Sequence, residues 1–174
     1  GDAGLVIQGT DGDPITGISV SSVTGKYNRN GLRASNAKDI SINFDESACS
    51  TGGGLKIGIT LHNVTSSDIS GYAQCAETAG YLFTSGSNNN LLNTLQAYNS
   101  KVGIKVISNG NYFNNTHLGG NDDVGILFYG SDNNQINDGN FYGNKYAVGF
   151  TRGAENNRIK DLNFDDNDDY DIHH

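Results

Sequence analysis

The 174-residue sequence contains no methionine, no tryptophan, one proline and two cysteines. Without an initiator Met it reads as a processed chain or an excised piece, and no apolar run is long enough to cross a bilayer as a helix. Only eleven Lys and Arg stand against nineteen Asp and Glu, a net charge of −8. Nucleic acid and anionic membranes need clustered basic residues, so both are excluded as partners. Charged residues make up just 17% of the chain, too few for the Glu- and Lys-rich surfaces of a helical bundle. Hydrophobic content is a modest 35%, yet Ile, Leu, Val, Phe and Tyr recur at regular intervals, which disorder does not require. One proline and no linker composition give a single domain over 1–174.

What is present is a repeat. Four segments begin at Asn90, Asn111, Asn134 and Asn157. Two residues on lie Leu92, Phe113, Ile136 and Ile159, and five further Ala97, Leu118, Phe141 and Phe164. A second asparagine follows at Asn99, Asn121, Asn144 and Asn167, then a short alternating strand such as 102–106, 124–128 or 146–150. Alternation of apolar residues means one buried face per strand. A unit of about 22 residues cannot bury that face alone, so units must stack and place equivalent residues above one another. Asparagine suits the corners because it tolerates left-handed backbone angles and its amide bonds to backbone and to the next Asn. The expected fold is all-β: a right-handed single-stranded parallel β-helix of about seven coils, regular over 88–174 and looser over 1–87. In the looser part Val64 and Ile69 take the places of Leu92 and Ala97. Strands are expected at 4–7, 40–44, 55–59 and 81–83, with loops at 45–54 and 71–79. Cys49 and Cys75 fall in those two loops one coil apart, which predicts a disulfide and an oxidising compartment.

The run Ser131-Asp132-Asn133-Asn134-Gln135-Ile136 through Asn144, and Glu155-Asn156-Asn157-Arg158-Ile159 through Tyr170-Asp171-Ile172, resemble the parallel β-helix repeat of the pectate-lyase-like superfamily. The resemblance covers 88–172. That superfamily includes polysaccharide lyases, alginate epimerases, phage tailspikes, periplasmic copper-accessory proteins and archaeal surface-layer proteins. It implies a fold and an association with carbohydrate, while its repeat is scaffold chemistry shared by enzymes and non-enzymes.

Enzymes of that resemblance use Asp clusters for calcium, or Asp, Lys, Arg, His and Tyr on one sheet as acid, base and charge neutraliser. The corresponding candidates here are Asp122, Asp123, Lys145, Arg152 and His117. Asp122, Lys145 and Asp168 are spaced to line up along one edge, where a surface ladder of opposite charges is the plainer expectation. Asp165, Asp166, Asp168 and Asp169 offer hard oxygen ligands for calcium without the spacing of a known loop. Among nine tyrosines, Tyr98, Tyr112, Tyr129 and Tyr142 fall beside turns or on outward positions, where a ring can stack on a sugar. No amphipathic cap helix is visible at either end, and His174 takes the inward row of Val106, Phe128 and Phe150. An open strand edge templates further pairing, so self-association, end-to-end or lateral, is expected.

Two function classes follow. The first is a secreted, non-catalytic β-solenoid, extracellular or at the cell surface, that acts as a structural or filament-forming subunit and contacts polysaccharide. The alternative is a carbohydrate-active domain, a lyase, epimerase or tailspike-type depolymerase, although the enzymes it resembles are longer solenoids. No cofactor other than calcium is implied.

Overall fold

The computed structural model describes residues 3–23, 29–45 and 56–174. In these stretches the chain forms strands only: β1 (Ala3–Gln8), β2 (Ile15–Thr16), β3 (Ser19–Val23), β4 (Asn30–Lys38), β5 (Ser41–Asp45), β6 (Ile57–Thr65), β7 (Asp68–Gln74) and β8 (Ala79–Phe83). They continue with β9 (Leu91–Tyr98), β10 (Val102–Val106), β11 (Tyr112–Gly119), β12 (Val124–Tyr129), β13 (Gln135–Tyr142), β14 (Tyr146–Thr151), β15 (Arg158–Asp165) and β16 (Tyr170–His173).

Even-numbered strands build one sheet with β1 at its edge, in the order β1-β4-β6-β8-β10-β12-β14-β16, with β2 also beside β4. Odd-numbered strands build the other, β15-β13-β11-β9-β7-β5-β3. Every pairing is parallel, as in β10 with β12 and β11 with β13. A chain that alternates between two parallel sheets at each step is a β-solenoid, here of about seven turns. We call the two sheets the even and the odd sheet.

The core is the rows read from the sequence. Leu92, Phe113, Ile136 and Ile159 are register partners in successive strands, as are Ala97, Leu118, Phe141 and Phe164. From the even sheet Leu32, Ile59, Tyr81, Ile104, Ile126 and Val148 meet them, all fully buried. His174 does stack on Phe150, 5.2 Å between ring centroids.

Two details differ from the sequence reading. Ile69, not Val64, pairs with Leu92, and the Val64 N–H instead meets the Ser87 hydroxyl in the neighbouring coil. Insertions between the N-terminal coils hide this step of 23 residues. The second ladder runs Ser100, Asn121, Asn144, Asn167 and leaves out Asn99. Asn99 is instead the left-handed corner residue, at φ 50°, level with Gly120, Gly143 and Asp166. The two tasks assigned to one asparagine are thus divided between neighbours. One residue takes the positive φ and the next, buried, extends the ladder. The same division occurs at the other corner, where Asn89, Gly110, Asn133 and Asn156 precede the ladder residues.

Where one ladder asparagine follows another, the later side-chain oxygen accepts twice from the coil before it. The Asn144 Oδ1 receives the backbone N–H of Asn121 at 3.2 Å and its Nδ2 at 2.8 Å. The Asn144 Nδ2 donates to the Leu118 carbonyl at 3.0 Å and to Asn167 Oδ1 at 3.1 Å. Corner backbone groups that the sheets cannot pair are satisfied this way. The loop expected over 71–79 is also shorter, because β7 runs to Gln74.

Candidate binding faces

On the odd sheet, Tyr98 of β9 and Tyr142 of β13 are two strands apart, with Gly119 of β11 between them in register. Two strand spacings amount to about 9.6 Å, yet the ring centroids are 6.0 Å apart. The absence of a side chain at Gly119 permits this. A Cβ there would lie 2.5 Å from the Tyr142 ring, so the ring leans into the space it leaves. Tyr72 extends the cluster, 5.4 Å from Tyr98. The hydroxyls are held by their own strands: Tyr72 donates to Gln74 Oε1 at 2.6 Å and Tyr98 to Gln96 Oε1 at 3.4 Å.

Burial, then the neighbouring Tyr142 and Tyr72, pushes the Tyr98 phenol up to about 12. A raised phenol keeps its proton in the folded chain while the unfolded chain loses it, so this contribution to stability is present below pH 10 and lost as pH rises through about 12. Tyrosinate absorbance is expected to show late-titrating tyrosines, the fully buried Tyr81 among them, and Tyr142→Ala to bring the Tyr98 component back towards 10.

Beside Tyr72 lies an open groove of 610 Å³ lined by Asn43, Asp45, Ser70, Gly71, Thr94 and Gln96. Its shape comes from a register shift between Ile69 and Gly71. Gly71 sits at φ 131°, where a Cβ would meet the Phe44 carbonyl oxygen at 1.9 Å. Bulges of this kind re-aim the side chains that follow them.

The enzymatic candidates do not converge. Asp122, Lys145 and Asp168 do stack at one corner, through their N–H groups on Ser100, Asn121 and Asn144 carbonyls. Lys101 precedes them in the same row, giving alternating charge, but no ion pair closes between these residues. Asp123 stands beside Asp122 at that corner, its N–H on the Lys101 carbonyl. His117 lies on the odd sheet, where Asn140 Nδ2 donates to its Nδ1 at 3.1 Å and its Nε2–H donates to Asn115 Oδ1 at 2.9 Å. Both ring nitrogens are thus engaged by asparagine amides, which leaves neither free for a base or a metal role. Arg152 directly follows β14, 5.1 Å from the centroid of the Tyr129 ring, whose other cation is Lys105 at 4.8 Å.

Of the four tyrosines expected to bind sugar, Tyr98 and Tyr142 come together. Tyr112 sits apart at the start of β11, paired with Leu91 and Gln135, and Tyr129 is on the even sheet. Tyr72 was missed because the shifted N-terminal register hid that β7 lies next to β9.

Asp165, Asp166, Asp168 and Asp169, the expected calcium ligands, are not gathered into one group. No three carboxylates among the described residues come together as metal ligands. They straddle the end of a strand and a left-handed corner, which turns consecutive side chains in different directions. Cys75 is disulfide-bonded and has no free thiol, while Cys49 lies outside the described residues, so the expected pairing is not described.

Over residues 1–172 the chain matches the family described as periplasmic copper-binding protein (NosD). It belongs to the NosD family. No curated protein and no solved structure matches it. The family description places NosD proteins outside the cytoplasm, in line with the compartment expected from the sequence. It also names copper, for which soft thioether, thiolate and imidazole ligands are the usual donors. This NosD chain has no methionine and four histidines. His117 is committed to two asparagines, His62 shares Nδ1 with Thr84 at 2.9 Å, and His173 and His174 stack on Tyr146 and Phe150. With no three-donor group among the described residues, they do not fit a copper centre. Titration of this chain with Cu(I) against a chromophoric chelator is expected to leave the chelator loaded; one equivalent withdrawn from it would refute that.

Proposed function

We propose that this chain is a non-catalytic, extracytoplasmic β-solenoid that holds a hydroxyl-rich polymer, a polysaccharide, against its odd sheet. The Tyr72–Tyr98–Tyr142 cluster carries the reading. Three amphipathic rings on one face offer apolar patches for sugar rings, and the adjoining groove supplies amides and hydroxyls from Asn43, Ser70, Thr94 and Gln96. Strands stacked at about 4.8 Å make such a surface repetitive along the solenoid axis, which suits a repetitive ligand. A non-catalytic role is supported by the dispersal of Asp122, Asp123, Lys145, Arg152 and His117 over a corner and two different sheets.

Affinity electrophoresis in gels containing neutral glucan, mannan or xylan tests the proposal. One of these polymers is expected to retard the chain, and the paired change Tyr98→Ala and Tyr142→Ala to weaken binding by about tenfold or more, the order of one lost stacking contact per ring. Retardation by none of the three, or retardation indifferent to the tyrosines, would remove the reading. Release of new reducing or unsaturated ends from the polymer would turn it into an enzyme.

A further inference from the structure

We infer that Tyr98 and Tyr142 form an oxidative cross-linking site, at which a peroxide-driven one-electron oxidant joins the two phenol rings into a dityrosine within one chain. The inference uses two rings of the odd sheet but does not rest on the polymer reading, since it needs neither the groove nor a ligand.

Composition decides where an oxidant acts. Thiolates and thioethers are the usual targets. This chain has no Met and no Trp against nine Tyr, and among the described residues no cysteine is free. One-electron oxidation therefore falls on the phenols, and geometry selects the pair that reacts.

Coupling needs two rings whose phenolic ends can meet, because the unpaired electron of a phenoxyl resides on its oxygen and on the ring carbons next to Cζ. Tyr98 and Tyr142 lie 6.0 Å apart between centroids, their planes tilted by 41°. The atoms that a Cβ at Gly119 would meet first are Cζ, Cε2 and Cε1 of Tyr142, at 2.5, 2.7 and 2.9 Å. The reactive end of the Tyr142 ring thus lies over Gly119, the register partner of Tyr98. The hydroxyls interact as well, contact with that of Tyr142 being one of the causes that hold the proton on Tyr98. Tyr142 is 46% exposed, so an oxidant reaches it directly. Two other pairs compete. Tyr72 is 5.4 Å from Tyr98, but its hydroxyl is tied to Gln74 at 2.6 Å, where Tyr98 holds Gln96 only at 3.4 Å. Tyr146 and Tyr170 are nearly parallel at 6.4 Å, which keeps their matching carbons about that far apart, and Tyr146 already carries His173 at 4.7 Å.

The step balances with hydrogen peroxide as the oxidant. Each phenol gives up its hydroxyl hydrogen atom, and the two radicals pair to form one bond between a Cε of Tyr98 and a Cε of Tyr142. Each bonded Cε then loses its own hydrogen as a proton to the ring oxygen, which restores both phenols. Two hydrogens leave in all, and one peroxide is reduced to two waters as its O–O bond breaks. The product ties β9 to β13 across β11. A link between residues so distant in sequence restricts the unfolded chain, so the oxidised protein melts at a higher temperature.

The test treats the full chain, kept dilute, with hydrogen peroxide and a haem peroxidase. Dityrosine fluorescence is expected, with a monomer lighter by two hydrogens, a linked peptide pair containing Tyr98 and Tyr142, and a raised Tm. Tyr142→Phe should abolish the fluorescence, and Tyr129→Phe, on the even sheet, should leave it unchanged. Gly119→Ala keeps every tyrosine but pushes the Tyr142 ring aside, and it is tolerated because the obstacle is the end of a side chain and not backbone. It should suppress the link, and melting of the untreated variants confirms that they fold. A link mapped to Tyr72, Tyr146 or Tyr170, dityrosine confined to dimers, or an equal yield in Gly119→Ala would overturn the inference.

Discussion

Replacing Asn144 with alanine is expected to destabilise the chain by about 4 kcal/mol, because it strands several buried polar groups at once and each costs about 1–3 kcal/mol when left without a partner. Asn144 is fully buried. Its oxygen accepts from the Asn121 N–H and Nδ2, and its amide donates to the Leu118 carbonyl and Asn167. Alanine returns nothing to any of them, and the position is shielded from solvent. For a chain of this size about 4 kcal/mol corresponds to a drop of roughly 8–16 °C in Tm, readable by circular dichroism. Serine in the same place should restore part of the loss, since at Ser100, the equivalent position two coils earlier, the hydroxyl accepts the Ala76 N–H at 3.1 Å. A drop of less than about 1 kcal/mol would mean that the ladder merely accompanies the fold.

The second large effect is expected at Gly71. Its φ of 131° is a region L-residues rarely adopt, and a Cβ would stand 1.9 Å from the Phe44 carbonyl oxygen and 2.7 Å from the Phe44 nitrogen. Both obstacles are backbone of β5, which cannot rotate aside like a side chain, so β7 must lift away from β5. Gly71→Ala is expected to cost about 3 kcal/mol or more, combining the strained conformation with the displaced ladder. It should also reduce polymer binding, because the bulge at Gly71 shapes the groove beside Tyr72. Gly12→Ala is the contrast: a Cβ there meets nothing within 4 Å, so Tm should hardly move. A Gly71→Ala protein with unchanged melting would show that the bulge is soft.

Why the fold was readable and the faces were not is visible in particular residues. Ile136 and Ile159 announce the solenoid because inward positions must be apolar in every coil, so the repeat survives in the sequence. Tyr72, Tyr98 and Tyr142 announce nothing by themselves. Their meeting depends on a glycine at 119, on one ring leaning across a strand, and on a register upstream that insertions shift. Outward positions carry no repeat that burial would enforce. Asn99 shows the same limit on a smaller scale: composition gives the corner its asparagines, but only the hydrogen bonds say which one points inward.

The ladder has a last consequence for how such a chain can change length. Asn111, Asn134 and Asn157 follow one another at intervals of 23 residues, and each coil bonds only to those on either side. Excising one complete interval would bring together two cut surfaces that already match, row upon row. A shorter or longer deletion would set apolar rows against polar ones. Growth and loss in this architecture therefore come in whole windings.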